Sequence, residues 1–338
     1  MKKIVYIFGF ITLFISGASL SAQSNYKIVN KMHLEGEGGW DYISTDAVNG
    51  RIYVSHATVA QVVDSKTGKL LGTIPDTKGI HGIAFATGLN KGFTSNGRDS
   101  SVTVFDLKTL QVITKVKVTG KNPDAILYDP FSKKVFTFNG GSANATVIDA
   151  ITNKVVATIP LDGKPEFSAT DGKGTIFVNI EDKSSINVIN SSTLKVTRHW
   201  SIAPGEEPSG LALDNKNHRL FSVCSNKMMV VADAETGKVI TTLPIGDRCD
   251  GVAFDSGKKR AYSSNGEGTI TVVQEVDANT FKVVETVPTL PGARTITVDE
   301  LTHHLYLPTA EFGPASANSR RPAVKPNSFM ILDVETLK

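Results

Sequence analysis

The sequence predicts an all-β fold, a β-propeller of seven blades with four antiparallel strands in each, and two observations support it. The first is an internal repeat in which an acidic or amide residue precedes a threonine by three positions. The leading residues are 42, 43, 41, 43, 44 and 56 positions apart. A period of about 40–45 residues is typical of one propeller blade. The copies are Asp64/Thr67, Asp106/Thr109, Asp149/Thr152, Asn190/Thr193, Asp233/Thr236, Asp277/Thr280 and Asp333/Thr336.

The second observation is that the two ends of the chain complement each other. The sequence stops directly after the turn expected at the seventh repeat motif, which leaves the last blade without a fourth strand. Residues 27–34 have the pattern of the outer strand at residues 154–161 and could supply it. An N-terminal strand in the last blade would close the ring and remove exposed sheet edges. We therefore expect a single domain over residues 23–338.

Each repeat divides into four short strands, as the fifth repeat illustrates. β-branched and aromatic residues bounded by Gly, Asn and Asp predict strands at residues 210–214, 219–224, 228–233 and 238–245. The Asp of the repeat motif can accept hydrogen bonds from backbone N–H groups two or three residues later, which favours a tight turn before the fourth strand. Because the motif occurs seven times, we interpret it as structural and not catalytic.

Residues 1–22 have the pattern of a secretory signal peptide. Lys2 and Lys3 precede an apolar run over residues 4–15, and small residues follow up to Ala22. The apolar run is too short for a stable membrane span. We expect cleavage after Ala22, a periplasmic or secreted protein, and no transmembrane segment in the mature chain.

The net charge argues against nucleic acid as a partner. The whole chain has a formal net charge of +3, and loss of Lys2 and Lys3 leaves 34 basic against 33 acidic residues. Proteins that bind nucleic acid usually carry a basic surface that neutralises phosphates. A nearly neutral mature chain is instead typical of a solvated surface with mixed charges.

Several second strands and the turns that follow them resemble a known family. The segments that carry the resemblance are residues 52–56, 176–179, 261–266, 265–273, 292–299 and 306–314. They resemble the YncE-like, or YVTN-repeat, seven-bladed propellers, and the last three resemble a secreted bacterial subgroup. The resemblance covers essentially all of the mature chain and implies a WD40-like propeller. It implies no single reaction, because propellers include binding modules, lactonases and lyases.

Polar residues that differ between blades mark one face of the predicted propeller. In an up-and-down blade, the first strand starts and the second strand ends on the same face, around the central channel. Unlike residues at equivalent positions are typical of a ligand site on a symmetric scaffold. A solvated channel mouth with turn-forming Asn and Asp is the alternative. The ligand-binding candidates are Trp40, Asp41, His56, His81, Asn96, Asp124, Asn139, Glu166, Glu181, Asp250, Asn265, Arg294 and Glu311.

Two subsets of these residues could hold a divalent metal ion, the only cofactor that the sequence suggests. His56 and His81, from neighbouring blades, could bind a metal with Asp41 or transfer protons. Simple hydrogen bonding of these histidines to the next blade is the alternative. Oxygen ligands suited to Ca²⁺ or Mg²⁺ form the second subset. Its members are Glu166, Glu181, Asp250, Asn265 and Asn139.

Two further features lie on the same face. Cys224 and Cys249 come from neighbouring blades, and the sequence leaves open whether they form a disulfide, remain buried thiols or bind a metal. Residues 309–327 form an insertion in blade 7 with no strand pattern. Loops of this length are usually functional or disordered, so the insertion is either a partial lid near Glu311 or a surface loop.

The function predicted from the sequence is that of an exported binding module that recognises a small ligand or a protein partner at the channel mouth. The alternative is a metal-assisted hydrolase or lyase, resembling a lactonase, that uses the same face. A purely structural or adhesive role is the third possibility. The residues to test first for catalysis are His56, His81, Asp41, Glu166 and Asp250.

Overall fold

The computed structural model describes residues 25–314 and 323–337 and has the predicted propeller architecture. Seven four-stranded antiparallel sheets form its blades. The expected signal peptide, residues 1–22, lies outside the described residues. Helix in the described part is confined to four short 3-10 turns, at Ala47–Asn49, Thr87–Leu89, Gly97–Asp99 and Glu181–Lys183. None of these turns could cross a membrane.

The first four blades follow one another along the chain after a leading strand. The leading strand is β1 (Tyr26–His33). Blade 1 contains β2 (Trp40–Asp46), β3 (Arg51–His56), β4 (Val59–Asp64) and β5 (Leu70–Ile74). Blade 2 contains β6 (Ile80–Ala86), β7 (Lys91–Asn96), β8 (Ser101–Asp106) and β9 (Val112–Lys117). Blade 3 contains β10 (Pro123–Asp129), β11 (Lys134–Asn139), β12 (Asn144–Asp149) and β13 (Lys154–Pro160). Blade 4 contains β14 (Pro165–Thr170), β15 (Thr175–Ile180), β16 (Ser185–Asn190) and β17 (Lys195–Ser201).

The remaining blades complete the ring. Blade 5 contains β18 (Pro208–Asp214), β19 (Arg219–Cys224), β20 (Met228–Asp233) and β21 (Val239–Pro244). Blade 6 contains β22 (Cys249–Asp255), β23 (Arg260–Asn265), β24 (Thr269–Asp277) and β25 (Thr280–Pro288). Blade 7 contains β26 (Thr297–Asp299), β27 (His304–Thr309), β28 (Met330–Thr336) and, as its outer strand, β1.

The pairing of β1 with β28 confirms the predicted closure of the ring. The two strands are antiparallel, with Tyr26 opposite Thr336 and His33 opposite Met330. The last repeat motif does not form the expected turn. Asp333 lies inside β28, where its carboxylate contacts His304 at 2.6 Å. The reason is that β1 replaces a chain reversal, so no tight turn is needed at this point.

The Asp-x-x-Thr turns elsewhere have the predicted chemistry. In blade 3, Asp149 Oδ1 accepts hydrogen bonds from the N–H of Ile151 at 3.1 Å and of Thr152 at 2.8 Å. It also accepts the Thr152 hydroxyl at 2.9 Å. Asn190 makes the same backbone contacts with its amide oxygen. The motif therefore acts through an acceptor oxygen and not through charge.

The hydrophobic core lies between the blades. The second and third strands are almost wholly buried because neighbouring blades cover both of their faces, whereas outer strands such as Val112–Lys117 are largely exposed. Each buried cluster joins two adjacent blades; one combines Tyr53 and Ile74 of blade 1 with Phe105 of blade 2. The ring is thus held by blade-to-blade packing, and its first strands are left to line the channel.

Candidate functional site at the channel mouth

An irregularity near the start of each first strand positions the polar residues at the mouth. In six blades the pairing of the first and second strands shifts within the first residues, as between Trp40 and Ile43 or between Pro123 and Ile126. Such a bulge re-aims a side chain that would otherwise alternate along the strand. The second residues of these strands are Asp41, His81, Asp124, Glu166, Ser209 and Asp250.

Polar side chains of the second strands hold the bulged backbone in place. Ser95 Oγ accepts the N–H of Gly82 at 2.8 Å and donates to the carbonyl of Asp124 in the next blade. Ser264 Oγ similarly donates to the Arg294 carbonyl at 2.6 Å. The bonds to Asp124 and Arg294 cross blade boundaries and help to fix the geometry of the mouth.

Asp41, His81 and Asp124 form a cluster across blades 1, 2 and 3. His81 Nδ1 lies 2.6 Å from Asp41 Oδ2 and 3.7 Å from Asp124 Oδ1. Burial alone would lower the pKa of His81, but the Asp41 hydrogen bond and the Asp124 charge raise it overall. Burial raises the pKa of Asp124, and the charge of His81 offsets this only in part. The raised pKa favours the protonated imidazole, whose positive charge faces both carboxylates.

Arg294 links blades 6, 7 and 1 at the mouth. Its Nη1 donates to Asp41 Oδ1 at 3.0 Å and also contacts Asp250 Oδ2, while Nη2 donates to the Trp40 carbonyl at 3.2 Å. Burial tends to raise the pKa of Asp41, but the His81 hydrogen bond and the Arg294 charge lower it overall. Burial raises the pKa of Asp250 to about 6 despite the same guanidinium. One arginine is thus shared by two carboxylates and does not fully neutralise both.

Glu166 is paired with a lysine that the sequence analysis did not select. Lys164 Nζ lies 2.8 Å from Glu166 Oε1 and also contacts Glu181 Oε2. Burial and the nearby Asp124 raise the pKa of Glu166 to about 8. Five carboxyl groups therefore face Arg294, Lys164 and the His81 imidazole. Burial, together with the charges of neighbouring carboxylates, raises the pKa values of Asp124, Glu166 and Asp250.

Tyr42 lies beneath this group of carboxyl groups, and the sequence analysis missed it as well. Its ring stacks on Phe167 from the opposite side of the channel, with centroids 4.4 Å apart. Its hydroxyl is buried and has no hydrogen-bond partner of good geometry among the described residues. Burial and the charges of Asp124 and Glu166 raise the pKa of Tyr42 well above its usual value. A tyrosine two residues after the start of a first strand carries no motif that would have revealed this role.

The predicted asparagines do not join the central group. The side-chain NH₂ of Asn96 donates to Ser101 Oγ at 3.0 Å and to Thr103 Oγ1 at 2.9 Å in its own blade. Asn139 and Asn265 make equivalent bonds to hydroxyls of their third strands. All three residues are fully buried. We therefore assign them to the blade structure, which leaves the predicted oxygen cage without its amide ligands.

His56 also lies apart from His81. Its Nδ1 is 3.0 Å from Gln61 Oε1, and its ring stacks on Phe329 with centroids 4.0 Å apart. Burial lowers the pKa of His56, so the imidazole is neutral at pH 7. His56 is thus held by hydrogen bonding and packing, but its partner Gln61 belongs to its own blade and not to the next one, as the simpler interpretation had it. Asp124 takes the place beside His81 that we expected for His56.

A cavity of about 910 Å³ opens on the same face, beside Arg294. Its apolar walls include Trp40, Leu290 and Phe312, and its charged residues are Arg248, Arg294, Glu311 and Lys325. The described ends of the blade 7 insertion form one side, because Phe312 pairs with Val324 and Trp40 lies against Phe312 at a centroid distance of 6.2 Å. Glu311 forms an ion pair with Lys325 at 2.9 Å.

The two cysteines do not form a disulfide. Both are buried free thiols, and Cys249 Sγ donates to the Cys224 carbonyl at 3.1 Å. Burial raises the pKa of both thiols to about 12. Neither is a thiolate at neutral pH, and this removes them from the set of reactive groups.

Comparisons with known proteins support the fold alone. No protein-family model matches the chain, and a search of curated proteins finds no match. A solved structure of Kuenenia stuttgartiensis hydrazine synthase is similar, with a TM-score of 0.71 and 18% identity, covering 81% of this chain and 94% of that one. The structure of U3-55K has a TM-score of 0.75 and 8% identity, covering 91% and 98%. The RRP9 WD40 repeats have a TM-score of 0.75 and 8% identity, covering 92% and 97%.

Proposed function

We propose that this propeller is a binding module for a small organic anion with an apolar body, held in the cavity beside Arg294. The observation that carries the proposal is that aromatic walls and the Arg248 guanidinium, which forms no ion pair with any described residue, line the same cavity. Its volume of about 910 Å³ suits a small molecule, since ligand pockets usually measure about 300–1,000 Å³.

The charges of the cavity favour an acidic group on the ligand. Arg294 and Lys325 are already paired with carboxylates, whereas the exposed Arg248 guanidinium makes no ion pair with any described residue. A guanidinium presents a planar set of donors that matches a carboxylate or sulfonate. Trp40 and Phe312 offer flat apolar surfaces for the body of the molecule.

The proposal can be tested with anilinonaphthalene sulfonate, an aromatic anion that fluoresces in apolar sites. The chain has only two tryptophans, so Trp200→Phe leaves Trp40 in the cavity as a single reporter. We expect saturable quenching of Trp40 and energy transfer to the probe. In that background, Arg248→Ala and Phe312→Ala should each weaken binding by about tenfold.

Arg198→Ala is the matched control, because Arg198 lines a separate cavity of about 360 Å³ that includes turn residues of the opposite face. It should leave the titration unchanged. Equal affinity for all variants, or no saturation of the Trp40 signal, would rule out this cavity as the binding site.

A metal-assisted hydrolase or lyase is the second candidate, and the His81 cluster is the specific observation that favours it. A bound cation at the mouth could polarise a lactone carbonyl. Turnover of a lactone panel that disappears on chelation and returns with a divalent ion would support this activity. Absence of turnover with saturating metal would dismiss it.

We also propose that the chain is an exported member of the YncE-like, or YVTN-repeat, propellers. Support comes from the charged and apolar pattern of residues 1–22 and from the family-like segments at residues 52–56 and 261–266. Expression of the full chain in a bacterium, followed by fractionation and intact-mass measurement, tests export. Processing to a chain that begins at Gln23 in the periplasm or medium is expected, and an unprocessed cytoplasmic product would contradict it.

A further inference from the structure

We propose that Asp41, His81 and Asp124 form a binding site for one divalent transition-metal ion, with Zn²⁺ as the preferred occupant. One ligand atom from each residue lies within 4.8 Å of the other two. The three residues come from the same position of β2, β6 and β10, in successive blades. The site does not depend on the proposed anion cavity, because neither His81 nor Asp124 lines it.

The separations between the ligand atoms suit a small tetrahedral ion. Zinc bonds to nitrogen and oxygen of about 2.0–2.2 Å place neighbouring ligand atoms about 3.4 Å apart. His81 Nδ1 lies 3.7 Å from Asp124 Oδ1 and 2.6 Å from Asp41 Oδ2. Adjustment of the Asp41–His81 pair by about 1 Å would exchange their hydrogen bond for two metal bonds.

The surrounding backbone holds these side chains in position. Ser55 Oγ accepts the Asp41 N–H at 3.0 Å, and Ser95 Oγ fixes the carbonyl of Asp124. The His81 ring lies against Gly97, where a Cβ atom would stand only 2.7 Å from its Nε2. Any side chain at position 97 would displace the His81 imidazole, and glycine leaves room for it. Such preorganisation by neighbouring groups is typical of metal sites.

The local charge favours a cation at this point. Two carboxylates face His81, and Glu166 and Asp250 occupy the equivalent position of β14 and β22 around the same mouth. The nearby cations are each already shared by two carboxylates: Arg294 lies between Asp41 and Asp250, and Lys164 lies between Glu166 and Glu181. A divalent ion would supply the positive charge that the mouth lacks.

The donor types select the class of metal. An imidazole nitrogen suits Zn²⁺, Cu²⁺, Fe²⁺ and Ni²⁺, whereas Ca²⁺ and Mg²⁺ prefer sites built wholly of oxygen. Among the residues that the structure describes, no third carboxylate belongs to the cluster. Three protein ligands would leave one position for water or a small ligand, as in zinc sites with an open coordination position.

The test is metal binding by the full-length processed protein without a histidine tag. We expect one Zn²⁺ per chain by isothermal titration calorimetry and by metal analysis after gel filtration. His81→Gln and Asp124→Asn should each lower the affinity by at least about tenfold. Added Zn²⁺ should raise the melting temperature of the wild type more than that of either variant.

His199→Gln is the matched control, because His199 contacts a single carboxylate, Asp162, on an outer strand. It should bind Zn²⁺ like the wild type. Circular dichroism without metal establishes whether each variant is folded. If His81→Gln does not fold, Asp124→Asn alone provides the test. The visible spectrum of bound Co²⁺ gives a second readout, which should disappear in the same two variants.

Three results would overturn the site. They are failure of the wild type to bind Zn²⁺, unchanged affinity in both His81→Gln and Asp124→Asn, and tighter binding of Ca²⁺ than of Zn²⁺. Loss of Zn²⁺ binding in His81→Gln and Asp124→Asn, with probe binding in the Trp40 cavity intact in both variants, would support the site and leave the proposed function standing. Zn²⁺ binding by the wild type without saturable probe binding would support the metal site and overturn the proposed anion-binding function.

Discussion

Tyr42 of blade 1 and Phe167 of blade 4 stack across the channel, with their ring centroids 4.4 Å apart and their planes inclined by 21°. The two rings lie directly below the carboxyl groups of the mouth. Both rings line a channel cavity of about 240 Å³, together with residues that follow them in the first strands. The stacked rings therefore form an aromatic floor beneath the mouth.

Replacement of Phe167 should weaken this floor. Phe167→Ala removes the stacked ring and half-buried apolar surface, so we expect a loss of about 1–3 kcal/mol in the free energy of unfolding. Chemical denaturation at pH 7 measures it. Phe131→Ala is the control, because that ring is 55% exposed and makes no aromatic stack among the described residues. Equal losses in both variants would show that the stack contributes nothing specific.

Removal of Arg294 should destabilise the protein through repulsion between the carboxylates that it now pairs. In Arg294→Gln, Asp41 and Asp250 lose their shared cation, and the free energy of unfolding should fall on the order of 1 kcal/mol, since solvent screens the partly exposed group. Because the pKa of Asp250 is already about 6, protonation should relieve the repulsion. We expect a larger deficit at pH 8 than at pH 5 by thermal denaturation. A deficit independent of pH would contradict this account.

Glu275 should make the protein less stable as the pH rises. The carboxyl group is 2% exposed, accepts a hydrogen bond from Asn217 at 2.9 Å and lies beside Asp214. Burial and the Asp214 charge raise the pKa of Glu275 to about 7. The folded state thus binds more protons than the unfolded state between about pH 4 and 7, and stability falls across that interval.

Glu275→Gln should remove that dependence. The amide keeps the acceptor for Asn217 and can donate to Asp214, so the variant should be more stable than the wild type by about 1–3 kcal/mol at pH 8 and nearly equal at pH 4. Melting temperatures across this range provide the measurement. Glu235→Gln, on an exposed turn, is the control. A wild-type advantage at pH 8 would disprove the assignment.

The repeat motif should depend on an acceptor oxygen at its first position. Asp149→Ala deletes three hydrogen bonds of the turn and should cost about 1 kcal/mol, as loss of a comparable capping side chain does. Asp149→Asn should stay within a few tenths of a kcal/mol of the wild type, since Asn190 already forms this turn with an amide. Urea denaturation of both variants decides whether oxygen or charge matters.

The fold was predictable because its determinants are local and repeated. Strand and turn patterns around Asp149 or Asp233 recur at blade spacing, and the N-terminal strand matches an outer strand. Asp333 shows the limit of this reasoning, since the same motif lies inside a strand when another segment takes over the pairing. A local motif states a preference for a turn, and strand pairing at the closure overrides it.

The site was predictable only in part. Alternation along the blades identified the face and the residues Asp41, His81, Asp124 and Arg294, which do meet there. The roles of Tyr42 and of the cavity depend on bulges and on contacts between distant blades, which leave no local pattern. His56 was predicted to lie at the site but does not contribute to it, because its ring is held by Gln61 and Phe329.

The pairing of β1 with β28 also sets an order on the assembly of the molecule. Among the strands, synthesis delivers Tyr26–His33 first and Met330–Thr336 last, so β1 lacks its strand partner until nearly the whole chain exists. Until then its backbone is available to foreign strands. A proteolytic cut that releases either strand would open blade 7, and blades 6 and 1 would lose part of the surface that packs against them.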